Sequence, residues 1–296
     1  MHVRGVDGEE ARVRATFEIR ASDDREADRI FEAARLIVHR EAGVLRIEHD
    51  THQPFGVAAA VALLGSRRSD VTADVEIEVP TGAQLWTEGV GADIHVEGVH
   101  GEQRYRTVSG DLLVADSSGA MTLGGVSGDA TIRASGEVDV RANSVSGDLS
   151  VVAPLLRALR STSVSGDIEI EAAFDAGGEH RVETVSGDLT LAPLGGLTVD
   201  LRGLAGSVDS ELDHRLEGRI GRRQLVVGDG RAALRFSSMS GDLQIVRPRR
   251  LSPVSAVAAH APTDDDEARR LELLRALERG EIDVDEVARR LEHRNG

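Results

Sequence analysis

Apolar and polar residues alternate along much of this chain. Val13, Ala15, Phe17 and Ile19 alternate with Arg12, Arg14, Thr16, Glu18 and Arg20, which predicts a half-buried strand. Val71, Ala73, Val75, Ile77 and Val79 repeat the pattern, and Pro80 ends it. Further on, Val145, Gly147, Leu149 and Val151 fall on one side of an extended chain, and Ser144, Ser146, Asp148 and Ser150 on the other. The same register recurs in Val164/Gly166/Ile168/Ile170, Val185/Gly187/Leu189/Leu191 and Met239/Gly241/Leu243/Ile245. Weaker copies fall between them: Ala92/Ile94/Val96, Gly119/Met121/Leu123 and Gly136/Val138/Val140. The first group of each set is expected to face inward, with glycine there marking a bend or a close backbone approach.

The strongest copies share a motif. Ser-Gly-Asp occurs six times, as Ser109-Gly110-Asp111, Ser127-Gly128-Asp129, Ser146-Gly147-Asp148, Ser165-Gly166-Asp167, Ser186-Gly187-Asp188 and Ser240-Gly241-Asp242. The first five aspartates are 18, 19, 19 and 21 residues apart. A period near 20 predicts stacked units, since one unit cannot bury its own apolar face. The expected fold is mainly β: a β-solenoid, β-helix-like, of coils of 18–21 residues with two or more strands each. No six-residue apolar repeat and no double-glycine calcium nonapeptide can be traced.

Four regions follow. Residues 1–85 predict a small β-rich cap with one helix, begun by Asp23 and Glu26 as a capping box and continued by Ala27, Ile30, Phe31 and Ala34. A hairpin is expected between residues 36–40 and 44–48, turning at Ala42-Gly43. Residues 86–247 predict the solenoid, with 153–160 and 212–223 read as loops leaving it. Residues 248–262 lack periodicity and predict a flexible linker, and residues 263–296 a helical hairpin. There Leu271, Leu274, Leu277, Ile282, Val287 and Leu291 offer more apolar surface than two short helices bury between themselves, which predicts a partner-binding stripe for self-association or recruitment.

Composition narrows the chemistry. Five Phe, one Tyr and one Trp in 296 residues leave a core of small aliphatics. Without cysteine there is no disulfide and no thiolate site, which leans towards a reducing compartment. All 35 basic residues are arginine, so no Schiff-base or P-loop lysine is present. The net charge of −16 opposes nucleic acid and anionic lipid as partners. The longest apolar run, residues 55–65, has 11 residues against the ~20 of a membrane span. It reads as a capping loop or short helix, or else as a docking surface. The opening is polar, with no signal peptide visible, so the sequence reading places the chain in the cytoplasm, with peripheral contact to the inner face of the membrane open to it.

Candidate sites are few. Stacked aspartates would lie about 4.8 Å apart and repel by about 1 kcal/mol per pair in water. The expected relief is local: each Asp caps its own turn amides, and Ser hydroxyls bond neighbouring carboxylates. A cation ladder and a mineral- or ice-binding face are the alternatives. His49 and His52, with Glu48 and Asp50, have the donors for a metal but read as a solvated turn. No Gly-x-Ser-x-Gly elbow supports a triad. Trp86 and Tyr105 are the aromatic candidates for a sugar platform. No catalytic residue, metal or cofactor is assigned.

The order of alternating strands, a Val-Pro-terminated strand and Thr-Val-Ser-Gly-Asp-Leu repeats resembles the bacterial adhesin-type toast-rack domain. It is carried by Val75–Pro80, by Thr107 to Leu112 and by Thr184 to Leu189, and covers roughly residues 1–247. Residues 273–282 (LLRALERGEI) resemble the short helical hairpin appended to many bacterial proteins as an oligomerisation or recruitment element. The resemblance implies a link to cell-envelope stress systems and brings no catalytic residues with it. The function expected is a non-enzymatic scaffold. An adhesin or glycan binder and a β-helical polysaccharide-active enzyme are the rival readings.

Overall fold

The computed structural model describes residues 1–19, 21, 23–25, 27–28, 36–41, 44–49, 71–203, 206–219 and 222–249. Residues 1–248 form one compact unit and residues 249–296 a second. The described chain is mainly β. Its strands in order are β1 (His2–Val6), β2 (Arg12–Ile19), β3 (Leu36–Glu41), β4 (Val44–His49), β5 (Val71–Pro80), β6 (Leu85–Gly89), β7 (Ile94–Glu97), β8 (Gln103–Thr107), β9 (Leu112–Gly125) and β10 (Ala130–Asn143). The second half holds β11 (Leu149–Ser163), β12 (Ile168–Phe174), β13 (His180–Ser186), β14 (Leu189–Pro193), β15 (Leu197–Arg202), β16 (Val208–Ser210), β17 (His214–Arg219), β18 (Arg222–Val227), β19 (Ala232–Ser240) and β20 (Leu243–Ile245).

Repeats stack in parallel through two ladders. The first runs β5–β1–β7–β9–β10–β11–β12–β14–β20–β16, using the opening halves of β9, β10 and β11. The second runs β6–β8–β9–β10–β11–β13–β19–β15, using the closing halves of the same long strands. Each repeat thus passes along one ladder, bends, and returns along the other. Register shifts mark the bends, between Arg133 and Glu137 in β10 and between Ala153 and Leu155 in β11. Alternate residues of both ladders meet in one core of small aliphatics, among them Ile94, Val114, Ile132, Val151, Ile170 and Leu191 from the first and Leu123, Val140, Leu159, Val182, Leu234 and Leu201 from the second. The scarcity of aromatics is consistent with so thin an interior; among the described residues Phe236 and Tyr105 are the fully buried ones.

Several expectations change. Residues 153–160 are not a loop: β11 runs through them, with exposed Pro154 at the register shift, where a missing N–H breaks no ladder bond. Residues 212–223 are not an irregular excursion either, because β17 and β18 form an antiparallel hairpin that pairs with β15 and covers the end of the second ladder. The amino-terminal segment is continuous with the repeats, since β1 pairs with both β5 and β7. Strand β2 then closes antiparallel on β5, as its alternation predicts, and β3 pairs with β4 in the expected hairpin. Ala27 donates its N–H to the Asp23 carbonyl at 3.0 Å, one helical turn. Glu26, Ile30, Phe31, Ala34, residues 55–65, the linker from residue 250 and the expected helical hairpin lie outside the described residues.

Chain order and spatial order part company near the end. Strand β19 lies between β13 and β15, and β20 between β14 and β16. The last Ser-Gly-Asp therefore stands one layer beyond Ser186-Gly187-Asp188, although the two aspartates are 54 residues apart. The intervening chain builds the terminal layer first and then returns to fill the gap.

Candidate functional site

The Ser-Gly-Asp corners join the end of a second-ladder strand to the start of a first-ladder strand. The motif glycines require their residue type. From Gly110 to Gly187 their φ lies between +109° and +140°, where a side chain is strained. A Cβ on Gly128, Gly147, Gly166 or Gly187 would also collide with the carbonyl of the motif glycine one layer before. The corners are stacked backbone on backbone.

Aspartate ties the layers together. The Asp129 N–H donates to Asp111 Oδ1 at 3.0 Å, the Asp148 N–H to Asp129 Oδ1 at 2.9 Å, and the Asp167 N–H to Asp148 Oδ1 at 2.8 Å. Asp188 and Asp242 continue the series onto Asp167 and Asp188 at 2.9 and 2.8 Å. The expected capping is therefore real in kind and different in target: each carboxylate holds the next layer's amide, not its own turn. A hydrogen bond to a charged acceptor contributes about 1.5–3 kcal/mol, less at an exposed corner, which offsets the ~1 kcal/mol repulsion between neighbours.

Serine differs from expectation in the same way. The hydroxyls of Ser109, Ser127, Ser146 and Ser165 donate to backbone carbonyls of the layer before, those of Val90, Val108, Val126 and Val145, at 2.9–3.5 Å. They do not bond the carboxylates. Two residues upstream, Thr107, Ser144, Ser163 and Thr184 donate their hydroxyls to the carbonyl of the motif serine at 2.8–3.1 Å. The inward face is corrected too. Leu149, Val151, Ile168 and Ile170 are buried as expected, whereas Val145 and Val164 are each 49% exposed, Val185 45% and Met239 71%. The positive-φ glycine breaks the strand pleat, so alternation cannot be carried across it.

Two members of the column carry no complete motif. Asp93 accepts from the Asp111 N–H at 2.9 Å, and the Ser207 N–H donates to Asp242 Oδ1, which ends the series. The signal for Asp93 is its place directly before Ile94, in the Ala92/Ile94/Val96 pattern. Ser207 follows Gly206, whose Cβ would meet the Gly241 carbonyl, so Gly-Ser stands there in the place of Gly-Asp.

The other candidates separate. Tyr105 is buried, its hydroxyl donating to Gln103 Oε1 at 2.7 Å, and cannot be a sugar platform. Trp86 is 64% exposed, with the Arg104 guanidinium 5.0 Å from its ring centre. His49 ends β4; Asp50, His52 and the stripe Leu271, Leu274, Leu277, Ile282, Val287 and Leu291 lie outside the described residues. Among the described residues no group of three His, Cys, Asp or Glu could hold a metal, and no helix is long and apolar enough to cross a membrane.

No curated protein and no solved structure matches the chain. Residues 88–192, which hold the first five Ser-Gly-Asp corners, match the protein-family model described as Toastrack DUF4097.

Proposed function

We propose that the chain is a non-enzymatic scaffold: a rigid β-solenoid that carries a recruiting tail. The supporting observation is the use of the motif's polar groups. Its aspartate Oδ1 atoms and, in the first four copies, its serine hydroxyls are engaged with backbone of adjacent layers. A column built this way suits load-bearing better than proton transfer or nucleophilic attack, which need a base in reach of the nucleophile. The toast-rack match is compatible with this reading, which sets the scaffold at the cell envelope, on the cytoplasmic face of the membrane.

In this reading the stripe from Leu271 to Leu291 captures a protein partner or a second copy. The test compares the full chain with one ending at Pro248, by light scattering and by pull-down from the native host. The shorter chain should stay folded and lose the association. Equal mass and equal partners for both would remove the tail from the mechanism, and cell fractionation checks the placement.

A further inference from the structure

The outer face of the second ladder carries a row in step with the motif, each member seven residues before a Ser-Gly-Asp aspartate. Register places Arg141 opposite Arg160, Arg160 opposite Arg181, and Arg181 opposite Arg235. Four arginines therefore stand side by side on successive strands, in a chain whose net charge is −16. Like charges directly opposite each other destabilise a sheet, so packing gives no reason for the row. Flanking acids relieve part of it: Arg160 pairs with Glu179 at 3.6 Å, Arg235 with Asp200 at 3.9 Å, and Arg181 with Glu183. Arg141 has no ion-pair partner among the described residues.

The row runs into an open cleft of about 640 Å³ over β13, β19, β15, β18 and β17. Arg181, Arg235, Asp200, Arg222 and Glu217 line it, with the Gln224 amide between them. Arg222 also lacks an ion-pair partner among the described residues. It lies five strands from Arg141, about 24 Å at ordinary strand spacing. In the other direction Thr122 interrupts the row before Arg104 and the exposed ring of Trp86.

We propose that this face binds an acidic polysaccharide, a chain of sugars bearing carboxylates. Two guanidiniums so far apart, neither ion-paired among the described residues, fit a chain and not a small anion. The arginines between them sit in surface ion pairs, which are weak and can exchange one carboxylate for another. Carboxylate and amide groups in the cleft hydrogen-bond sugar hydroxyls, and Trp86 offers a ring face. A phosphate polymer fits less well, because its affinity rests on neutralising many closely spaced charges with free cations. Repulsion from the acidic remainder of the molecule is screened beyond about 8 Å at physiological salt, so a sparsely charged chain can still dock.

The test is calorimetric titration of the full chain with polygalacturonate, with dextran and oligothymidylate as comparisons. Saturable binding of polygalacturonate that weakens with salt is expected, with none to dextran. The double variant Arg141→Gln, Arg222→Gln should bind at least tenfold more weakly while melting at the same temperature or higher, since neither arginine is paired. Absence of saturable binding, or equal affinity in the double variant, overturns the proposal. Oligothymidylate bound as tightly as polygalacturonate, and lost in the same variant, would reassign the face to phosphate chains and overturn it equally.

Discussion

At the residue scale, the corner geometry makes each motif member replaceable to a different degree. Gly147 has φ +111° and no room for a Cβ against Gly128. Gly147→Ala should therefore lose at least about 2 kcal/mol in urea unfolding, from backbone strain and overpacking together. Asp148 holds the Asp167 N–H through Oδ1 alone. Asp148→Asn keeps that acceptor and removes a like charge, so its midpoint should stay near the parent's, whereas Asp148→Ala should cost about 1–2 kcal/mol. Equal losses for the two would deny the bond its role. His180 gives the pH dependence. Its Nε2 lies 2.9 Å from the Asp175 carbonyl, which can only accept, so Nε2 carries the proton. Nδ1 is buried with no partner, and burial lowers the His180 pKa. The folded pKa lies below the unfolded one, so the unfolded chain takes up the proton first as pH falls through about 6.5. Stability is thus unaffected above that value and declines below it. His180→Gln keeps a donor without titrating, and its melting temperature should fall less between about pH 7 and pH 5 than the parent's.

At the element scale, alternation located the strands well and their facing only in part. Arg12–Ile19 and Val71–Pro80 lie where the pattern predicts, because nothing interrupts their pleat. In the repeats the pattern holds from the residue after Asp onward, and it fails across the glycine, where the chain turns. Valines 126, 145, 164 and 185 consequently stand at an exposed corner, one per layer. Val145→Thr should change stability by less than about 0.5 kcal/mol, while the same change at fully buried Val151 should cost about 1–3 kcal/mol, read from paired denaturation curves. Equal costs would restore the inward assignment. Strand β11 was hidden for another reason. Pro154, the one extra residue at the register shift, disrupts the apolar period, although the ladder itself continues on either side. The arginine row keeps the motif period, each member seven residues before an aspartate; only the adjacency of Arg181 and Arg235 needed the structure, because β13–β19 pairing spans a long return of the chain.

At the scale of the whole molecule, the Ser-Gly-Asp period announced parallel stacking but not the order of the layers. The last motif reads as a distant straggler in sequence and is the immediate spatial neighbour of the fifth. Its aspartate bridges Asp188 to Ser207, so the same carboxylate contact that joins consecutive repeats also seats the returning strand between layers already built. The column thus runs unbroken from Asp93 to Ser207 and ties the layers of the first ladder from β7 to β16. Amide hydrogen exchange on the full chain, resolved at the six motifs, reads this column directly. The amides of Asp111, Asp129, Asp148, Asp167, Asp188 and Asp242 should exchange as slowly as those of the strands that follow them, despite lying at an exposed corner. Rapid exchange at all six, with the strands still protected, would show that the carboxylates do not hold the layers together.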